Sequence, residues 1–365
     1  MNTKQEITDL TVCRALFAVW VFVYHVDLYL NFSAWLGPFS GLIRHGYLGV
    51  DGFFLLSGLI LARVHPELAR PSLKDALKFW GKRLARIYPV HLATIVLFAA
   101  VLLAGQAHGL TPRDPQRFSI PSLMQNLFLV HGWGLASQGD WNYPSWSVST
   151  EWAGYLLFPV LWFVVSYFDV IVSVQIVIVF FTLLGLIAVR YHGLNLSFSG
   201  GLVRFFPEFI IGAATARFVP NIADFLPRRV FAAIGAVIIF LCAMEGFDYV
   251  GVFGLWLVLF SLTMQVDAQA PAMLGRSPFL HRLGLMSYAF YMSFAFAELL
   301  TTQCFRQLGW TPVSHSPLFA GGMLTLTVAL SIFLHLVIER PSRRAADRWL
   351  DAPAPGLLSL TAKQL

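Results

Sequence analysis

The chain has 365 residues, of which 57% are hydrophobic and 12% are charged, and its mean hydropathy is +0.68. Soluble domains carry about twice this share of charged residues, so the composition excludes a soluble globular protein and indicates a polytopic membrane protein. The net charge of +6 does not indicate a nucleic-acid partner, because most basic residues fall in the loops of one predicted membrane face.

Ten apolar runs of 17–22 residues follow one another along the chain, and each is long enough to cross a bilayer. The predicted fold class is therefore all-α, a membrane bundle of about 10 transmembrane helices. The predicted spans are residues 10–30, 46–63, 87–105, 151–168, 170–189, 200–218, 229–247, 249–266, 281–301 and 317–338. Only a tight turn around Asp248 separates the seventh run from the eighth, which predicts a helical hairpin.

Lysine and arginine residues in the loops predict that both termini lie in the cytoplasm. With the N-terminus inside, the cytoplasmic segments carry 18 of the 25 basic residues and the outer segments carry five. The remaining two, Arg14 and Arg204, lie inside predicted spans. An even number of spans then returns the C-terminus to the cytoplasmic side.

Two connections between the predicted spans are long. Residues 72–86 interleave apolar positions at helical spacing with lysine and arginine, which predicts a basic interfacial helix. The outer loop 106–150 is rich in proline, glycine and tryptophan, and its middle part is either re-entrant or interfacial. We expect a single membrane domain over residues 1–345, which includes both connections, and a short, loosely ordered cytoplasmic tail at 346–365.

The first span holds two residues that a lipid-facing helix avoids, Arg14 and His25. They are 11 positions apart, so at about 100° per residue they share one helix face, about 16 Å apart along the axis. Ionisable residues inside a span are costly and are candidates for function. The alternative is structural: Arg14 extends to the membrane surface, and His25 is a hydrogen-bonded packing residue.

Candidates for binding an anion follow in the next two segments. Span two contains Asp51 and Ser57 among glycines that permit close helix packing. The following loop ends in Arg83 and Arg86, spaced i, i+3, and then Tyr88. This spacing puts both guanidinium groups on one helix face, and arginine matches the geometry of phosphate. The alternative is a positive-inside signal or a contact with anionic lipid.

Span four opens with an aromatic and polar segment that includes Trp146, Ser147 and Glu151. The tryptophan fits an outer aromatic belt, and the glutamate either takes part in chemistry or only favours the helix dipole. Arg204 and Glu208 lie one turn apart in span six and are predicted to form a structural ion pair. Two more polar residues, Glu298 and His335, are interpreted as structural.

On the predicted topology, the candidate residues fall at two depths. The inner level contains three arginines, Arg14, Arg83 and Arg86. The outer level contains four titratable residues, His25, Asp27, Asp51 and Glu151. A basic inner mouth suits a phosphorylated cytosolic ligand, and an outer histidine–carboxylate set suits acid–base chemistry on a molecule from outside or from the lipid.

Several common catalytic motifs are absent from the sequence. It contains no HExxH, Walker loop or GxSxG motif, and its cysteines, Cys13, Cys242 and Cys304, are too widely spaced for a zinc site or a disulfide framework. A proton-coupled transporter or flippase also suits ten spans with buried ionisable residues. A receptor or scaffold without enzymatic activity is a third class, and it predicts no binding of coenzyme A.

Five stretches together resemble the acyltransferase-3 family of integral membrane O-acyltransferases. They are RALFAVWVFVYH in span one, GVDGFFLLSG in span two, RLARIYP after it, SWSVSTEWAGYLLFP in span four and VIERPSRR near the C-terminus. The resemblance covers residues 8 to about 345. One stretch departs from the family: MSYAFYMSF has Ser293 and Phe294 where members often have tryptophan and histidine, so no role can be transferred from that histidine.

The resemblance implies transfer of an acyl group, usually acetyl, from cytoplasmic acyl-CoA to a hydroxyl of a cell-surface, exported or lipid-linked carbohydrate. Acyl-CoA (acetyl-CoA) is then a co-substrate, and no cofactor or metal is permanently bound. The implied partners are the carbohydrate or glycolipid acceptor and membrane lipids, with no nucleic acid, and the implied location is the bacterial cytoplasmic (inner) membrane. The chain resembles the stand-alone type, without the periplasmic hydrolase-like domain of some members.

The resemblance, together with the residue types and predicted depths, gives the candidate site residues. The catalytic candidates are His25, Glu151 and Asp51. The donor-binding candidates are Arg14, Arg83, Arg86, Tyr88 and Ser57. The acceptor-side candidates are Asp27, Trp146 and Ser147. In this assignment His25 is the general base, and Glu151 orients it or contacts the acceptor.

Overall fold

The computed structural model describes residues 8–351, apart from residues 113, 136–137, 224, 269–273 and 275–276. Parts of three sequence predictions therefore lie outside the described residues. They are the loop charges of Lys4, Arg113, Arg276 and Lys363, the first part of the predicted domain and the tail from residue 352.

The described residues form α-helices joined by turns, loops and short 3₁₀ helices, and contain no strand. The helices are α1 (Thr8–Leu30), α2 (Ser40–Arg44), α3 (Gly49–Val64), α4 (Leu73–Ala107), α5 (Ile120–Leu127), α6 (Trp146–Tyr167), α7 (Val170–Tyr191), α8 (Gly201–Phe218), α9 (Arg228–Glu245), α10 (Asp248–Asp267), α11 (Pro278–Gln307), α12 (Ser316–Phe333) and α13 (Arg340–Asp351). Each of the ten predicted spans coincides with a helix of this series.

Eight helical segments in the described part of the chain are long and apolar enough to cross a membrane. This confirms the prediction of an all-α, polytopic membrane bundle. The other two long helices, α8 and α9, each contain three charged residues within 18. Helix α8 nevertheless belongs to the interior, because most of its residues are buried against α3, α6 and α7. The predicted hairpin of spans seven and eight is the antiparallel pair α9–α10, which turns at Gly246 with φ +78°.

The predicted interfacial helix at 72–86 is not separate from the third span. Both belong to α4, which starts at a capping box between Ser72 and Asp75 and continues through Pro89. A helix of 35 residues is about 53 Å long, well beyond the roughly 30 Å thickness of the hydrocarbon core. The basic first turns of α4 therefore extend the third span instead of lying on the membrane as a separate element.

The predicted loosely ordered tail begins inside a helix. Residues 346–351 belong to α13, which packs antiparallel to the start of α4. Lys78 and Lys82 form ion pairs with Asp351 at 2.7 and 2.8 Å, and the side chain of Leu350 lies over Gly81. Residues 346–351 are therefore helical, because α13 has a packing partner that the local charge pattern does not reveal.

The middle of the outer loop folds back onto the bundle. His91 of α4 donates a hydrogen bond from Nε2 to the backbone oxygen of Asn126 at 2.9 Å. The ring of His131 stacks on His91 with centroids 5.6 Å apart, and the side chains of His131 and Asn126 are buried. Packing against α4 and α6, rather than insertion as an independent span, fixes this segment.

Helix α1 is enclosed mainly by α3 and α11. Glycines allow both neighbours to approach closely: a Cβ atom on Gly284 of α11 would lie 2.0 Å from the backbone oxygen of Thr11, and one on Gly49 would lie 2.7 Å from that of Phe17. Small residues permit this kind of contact between membrane helices. The face of α1 that carries Arg14 and His25 is thus placed against defined neighbours.

Helices α3 and α8 cross at a reciprocal glycine contact. A Cβ atom on Gly58 would lie 1.9 Å from the backbone oxygen of Phe209, and a Cβ atom on Gly212 would lie 2.0 Å from that of Leu55. Each glycine therefore accommodates the backbone of the other helix. This contact sets the distance between α3 and α8. It also confirms the expectation that the glycines of span two permit close packing.

We expect Gly58→Ala to lower the thermal stability of the detergent-solubilised protein, because its methyl group requires the two backbones to separate. Overpacking of this kind costs about 1–3 kcal/mol. The matched control is Gly321→Ala in α12, where an added Cβ meets no atom of a described residue within 4 Å. A thermal-shift measurement in which both variants melt together would contradict the close crossing.

Candidate functional site

A cavity opens between α1, α3, α4 and α6. Its polar lining consists of Arg14, Ser57, Arg83, Arg86 and Tyr155, and its apolar lining of Phe53, Leu56, Ile60 and Leu61. The structure therefore brings together four of the five predicted donor-side residues, from three different helices. Tyr88 is the exception, because it does not line the cavity and its ring lies 6.4 Å from that of His91.

Positive charge is concentrated in this cavity. Within the described residues, Arg14 and Arg86 make no hydrogen bond or ion pair, and the buried Nε atoms of Arg14 and Arg83 have no acceptor. Buried polar groups are normally satisfied, so guanidinium groups converging without acceptors indicate a site for an anion. The i, i+3 spacing of Arg83 and Arg86 indicated the same chemistry, and the structure places the predicted third arginine, Arg14 of α1, in the same cavity.

Arg83 is held at the cavity by a neutral histidine. Its Nη2 atom lies 2.6 Å from Nε2 of His65, whose Nδ1 lies 2.8 Å from Glu67 Oε1. Burial and then the nearby Arg83 charge lower the pKa of His65, which favours the neutral ring that can accept a hydrogen bond from the guanidinium. Sequence reasoning missed His65, because it follows the end of α3 and has no conspicuous spacing to the arginines.

Glu151 lies beside the basic cavity and not beside His25. Its Oε1 atom accepts hydrogen bonds from Ser57 at 2.8 Å and from Tyr155 at 2.5 Å. Its charge also attracts Arg14 and Arg83. The prediction that it stands on the outer level with His25 was wrong, because α6 begins before Glu151 and carries it deeper, against α3.

His25 has a defined orientation. Its Nδ1 atom lies 2.8 Å from the backbone oxygen of Val21, and a carbonyl oxygen can only accept, so Nδ1 carries the hydrogen. The neutral ring then presents an unprotonated Nε2, for which no described residue supplies a hydrogen-bond partner. The ring packs between Phe294 and Tyr143, at centroid distances of 4.6 and 5.6 Å. This geometry suits a base that accepts a proton at Nε2.

Aromatic side chains connect the cavity to His25. Phe53 lines the cavity, and its ring lies 6.2 Å from that of Tyr291. Tyr291 lies 5.6 Å from Phe294, which packs on His25. A continuous aromatic wall therefore runs beside the roughly 16 Å of α1 between Arg14 and His25. Phe294, a departure from the family pattern, completes this wall.

Asp51 is not part of the environment of His25. Both of its carboxylate oxygens accept hydrogen bonds from Arg204, and neither side chain is exposed. Arg204 also donates to the backbone oxygen of Tyr47 and lies over the ring of Trp146. The predicted Arg204–Glu208 pair is therefore incorrect, because the facing helix α3 supplies the carboxylate. This buried, bidentate pair joins α3 to α8.

The three acceptor-side candidates have local structural contacts. Asp27 accepts a hydrogen bond from the backbone nitrogen of Ser33 at 2.7 Å, which stabilises the turn after α1. Ser147 donates to the hydroxyl of Tyr291 at 2.9 Å. Trp146 packs on Arg204 and is buried. Of these three, Ser147 alone contacts the aromatic wall between the cavity and His25.

Two tyrosines at the site were missed by sequence reasoning. Tyr155 follows Glu151 by one helical turn, and that i, i+4 spacing was a signal available in the sequence. Tyr143 precedes α6 in a turn, and its contact with His25 depends on the path of the outer loop, which no local pattern reveals.

Comparison with known proteins identifies related acyltransferases. The model of an acyltransferase domain matches residues 7–336. The acyltransferase MdmB of Streptomyces mycarofaciens is 39% identical over 121 residues, which are 32% of this chain and 28% of MdmB. The O-acetyltransferase OatA of Staphylococcus aureus is 28% identical over 173 residues, 44% of this chain and 25% of OatA. The matched regions thus cover about a quarter of these relatives' lengths. No solved structure matches the chain.

We expect Glu151→Gln to bind inorganic pyrophosphate a few-fold more tightly than the wild type. The substitution removes the carboxylate that attracts Arg14 and Arg83 and keeps the side-chain shape, so the cavity becomes more positive. Isothermal titration calorimetry at low salt measures the effect. Asp347→Asn is the control, because that carboxylate lies on α13 and pairs with Lys82. Weaker binding by Glu151→Gln would contradict an anion site at the arginines.

Proposed function

Since the chain belongs to the acyltransferase-3 family, whose domain model covers residues 7–336, we propose that it is a membrane-embedded O-acyltransferase. It moves an acyl group, acetyl in the first instance, from cytoplasmic acyl-CoA to a hydroxyl of a cell-surface, exported or lipid-linked carbohydrate. One observation carries this proposal: a cavity lined by three arginines is joined by an aromatic wall to a histidine whose Nε2 has no hydrogen-bond partner among the described residues. The protein acts in the bacterial cytoplasmic membrane with both termini in the cytoplasm, and it needs no permanently bound cofactor.

The arginine cavity binds the phosphates of the donor. Coenzyme A carries a diphosphate and a further phosphate, and Arg83 and Arg86 offer two guanidinium groups on neighbouring turns of α4. Arg14 adds a third from the opposite wall and engages the donor deeper in the bundle. The contact of His65 with Arg83 keeps that side chain pointed at the cavity when the site is empty.

The pantetheine arm extends from the cavity along α1 towards His25. The aromatic side chains of Phe53, Tyr291 and Phe294 line this path and exclude water from the thioester. Glu151 contributes on the donor side, where it accepts hydrogen bonds from Ser57 and Tyr155 and offsets part of the arginine charge. This role replaces the expected interaction of Glu151 with His25.

His25 acts as the general base. A hydroxyl is a poor nucleophile until a base removes its proton, and a neutral imidazole does so near neutral pH. Nε2 of His25 takes the proton from the acceptor hydroxyl as its oxygen attacks the thioester carbonyl carbon. The carbon–sulfur bond then breaks, the ester remains on the acceptor, and the imidazolium returns the proton to the departing thiolate. The hydrogen bond from Nδ1 to Val21 keeps Nε2 directed to the substrate.

We expect His25→Ala to lower transfer by about 10²–10⁴-fold, the usual contribution of a general base, while the protein remains folded. Mass spectrometry of surface glycans from cells that express each variant measures the transferred acyl group. His108→Ala is the matched control, because His108 is an exposed residue after the end of α4. Acylation at the wild-type level by His25→Ala would exclude the assignment of the base.

We expect Arg83→Ala combined with Arg86→Ala to weaken the binding of acetyl-CoA by at least about 100-fold. Each loss removes charge-assisted hydrogen bonds to phosphate, worth about 1.5–3 kcal/mol. Arg70→Ala combined with Lys74→Ala is the control, because it removes two exposed charges from the same region and leaves the cavity intact. Unchanged affinity in the cavity variant would instead support a positive-inside signal.

The alternative of a proton-coupled transporter or flippase makes a different chemical prediction. A transporter moves its substrate without breaking the thioester, whereas the acyltransferase releases one free thiol for each acyl group transferred. A thiol assay on the purified protein with acetyl-CoA and an acceptor extract therefore discriminates between the two. The absence of thiol release in the presence of acceptor would favour transport.

A further inference from the structure

A second polar cluster lies one helical turn beyond His25. Glu298 of α11 accepts a hydrogen bond from the hydroxyl of Tyr29 at Oε1 and another from the hydroxyl of Tyr143 at Oε2, each at 2.7 Å. Tyr29 follows His25 by four residues on α1, and Glu298 follows Phe294 by four residues on α11. Because Phe294 packs on His25, the pair Tyr29–Glu298 lies one turn, about 5.4 Å, further along α1 and α11.

The cluster is connected to the base through Tyr143. The ring of Tyr143 lies 5.6 Å from that of His25, while its hydroxyl reaches Glu298. The ring of Tyr24 lies 5.0 Å from that of His25. His25 is thus surrounded by aromatic rings with a carboxylate beyond them. Aromatic faces bind the C–H faces of sugar rings, and a carboxylate accepts hydrogen bonds from their hydroxyls.

Packing alone does not require a carboxylate at this position. An acidic residue inside an apolar helix is costly, and two tyrosine hydroxyls can be bridged by a neutral amide. Each carboxylate oxygen has a second lone pair, so Glu298 can accept two further hydrogen bonds beyond those of Tyr29 and Tyr143. Arg117 of the outer loop acts on Glu298 electrostatically and offsets part of its charge.

We propose that Glu298, held by Tyr29 and Tyr143, binds the acceptor and positions its reacting hydroxyl at Nε2 of His25. The ligand is an uncharged, hydroxyl-rich ring that enters from the end of the bundle opposite to the arginine cavity. This inference rests on the proposed function, and it assigns to Glu298 a role that the sequence did not indicate. Glu298 is a substrate-positioning residue and takes no proton in the reaction.

The test compares Glu298→Gln and Tyr29→Phe with the wild type in proteoliposomes. Radiolabelled acetyl-CoA is the donor, and the acceptor is a dilution series of the glycan and glycolipid extract from envelopes of cells that lack the enzyme. The half-saturating extract concentration serves as the apparent KM. We expect it to rise at least about tenfold for Glu298→Gln, since a charge-assisted hydrogen bond is lost, and about two- to tenfold for Tyr29→Phe.

The affinity for acetyl-CoA is expected to stay within twofold of the wild type in both variants, because Tyr29 lies about four helical turns from Arg14 of the donor site along α1. Asp114→Asn in the outer loop is the matched carboxylate-to-amide control and is expected to leave the apparent KM unchanged. Its carboxylate accepts only from Gln116 and Gln138 among the described residues.

Each remaining outcome decides between the two proposals. An unchanged apparent KM for Glu298→Gln with an active wild type would overturn the role of Glu298 and leave the acyltransferase function intact. A lower thermal midpoint with reduced kcat and unchanged KM would show that the cluster only holds the last turn of α1 against α11. That result would also overturn the role of Glu298. A wild type that transfers no label to the extract would contradict the proposed function itself.

Discussion

The cost of placing a guanidinium group inside an apolar bundle governs this structure. For Arg204 this cost is offset within the protein, because the buried carboxylate of Asp51 accepts two hydrogen bonds from its guanidinium group. For Arg14 it is not offset, because no described residue accepts a hydrogen bond from its guanidinium group. One arginine is therefore used for packing, and the other remains available for a ligand. Helix α3 takes part in both arrangements, because it pairs with α8 through Asp51 and Arg204 and also lines the cavity that contains Arg14.

Close helix contacts make this separation of roles geometrically possible. Gly58 and Gly212 bring the backbones of α3 and α8 together, and Ser57 is the residue next to that contact. Ser57 donates to Glu151 on α6, so the position of the crossing also sets the position of the carboxylate beside the arginines. Packing, electrostatics and the candidate donor site are thus linked through a few residues of one helix.

The site has two ends with different chemistry, joined along α1. At one end, three arginines form a mouth that suits phosphate groups. At the other, His25 and the cluster around Glu298 suit the activation and binding of a hydroxyl compound. In the proposed function, the aromatic wall between them keeps water from the thioester, which favours acyl transfer over hydrolysis. A membrane enzyme with this layout can accept its two substrates from opposite sides of the bundle.

The sequence by itself determined the membrane class, the ten helical segments, and the shared face of Arg14 and His25, because these depend on composition and on the period of one helix. It also indicated, from their spacing, that Arg83 and Arg86 suit the binding of phosphate groups. Only the tertiary structure decided that Asp51 pairs with Arg204, that Glu151 lies beside the arginines, and that Glu298 lies beyond His25. Those contacts join different helices, so they depend on depth and rotation in the bundle, which no local pattern encodes.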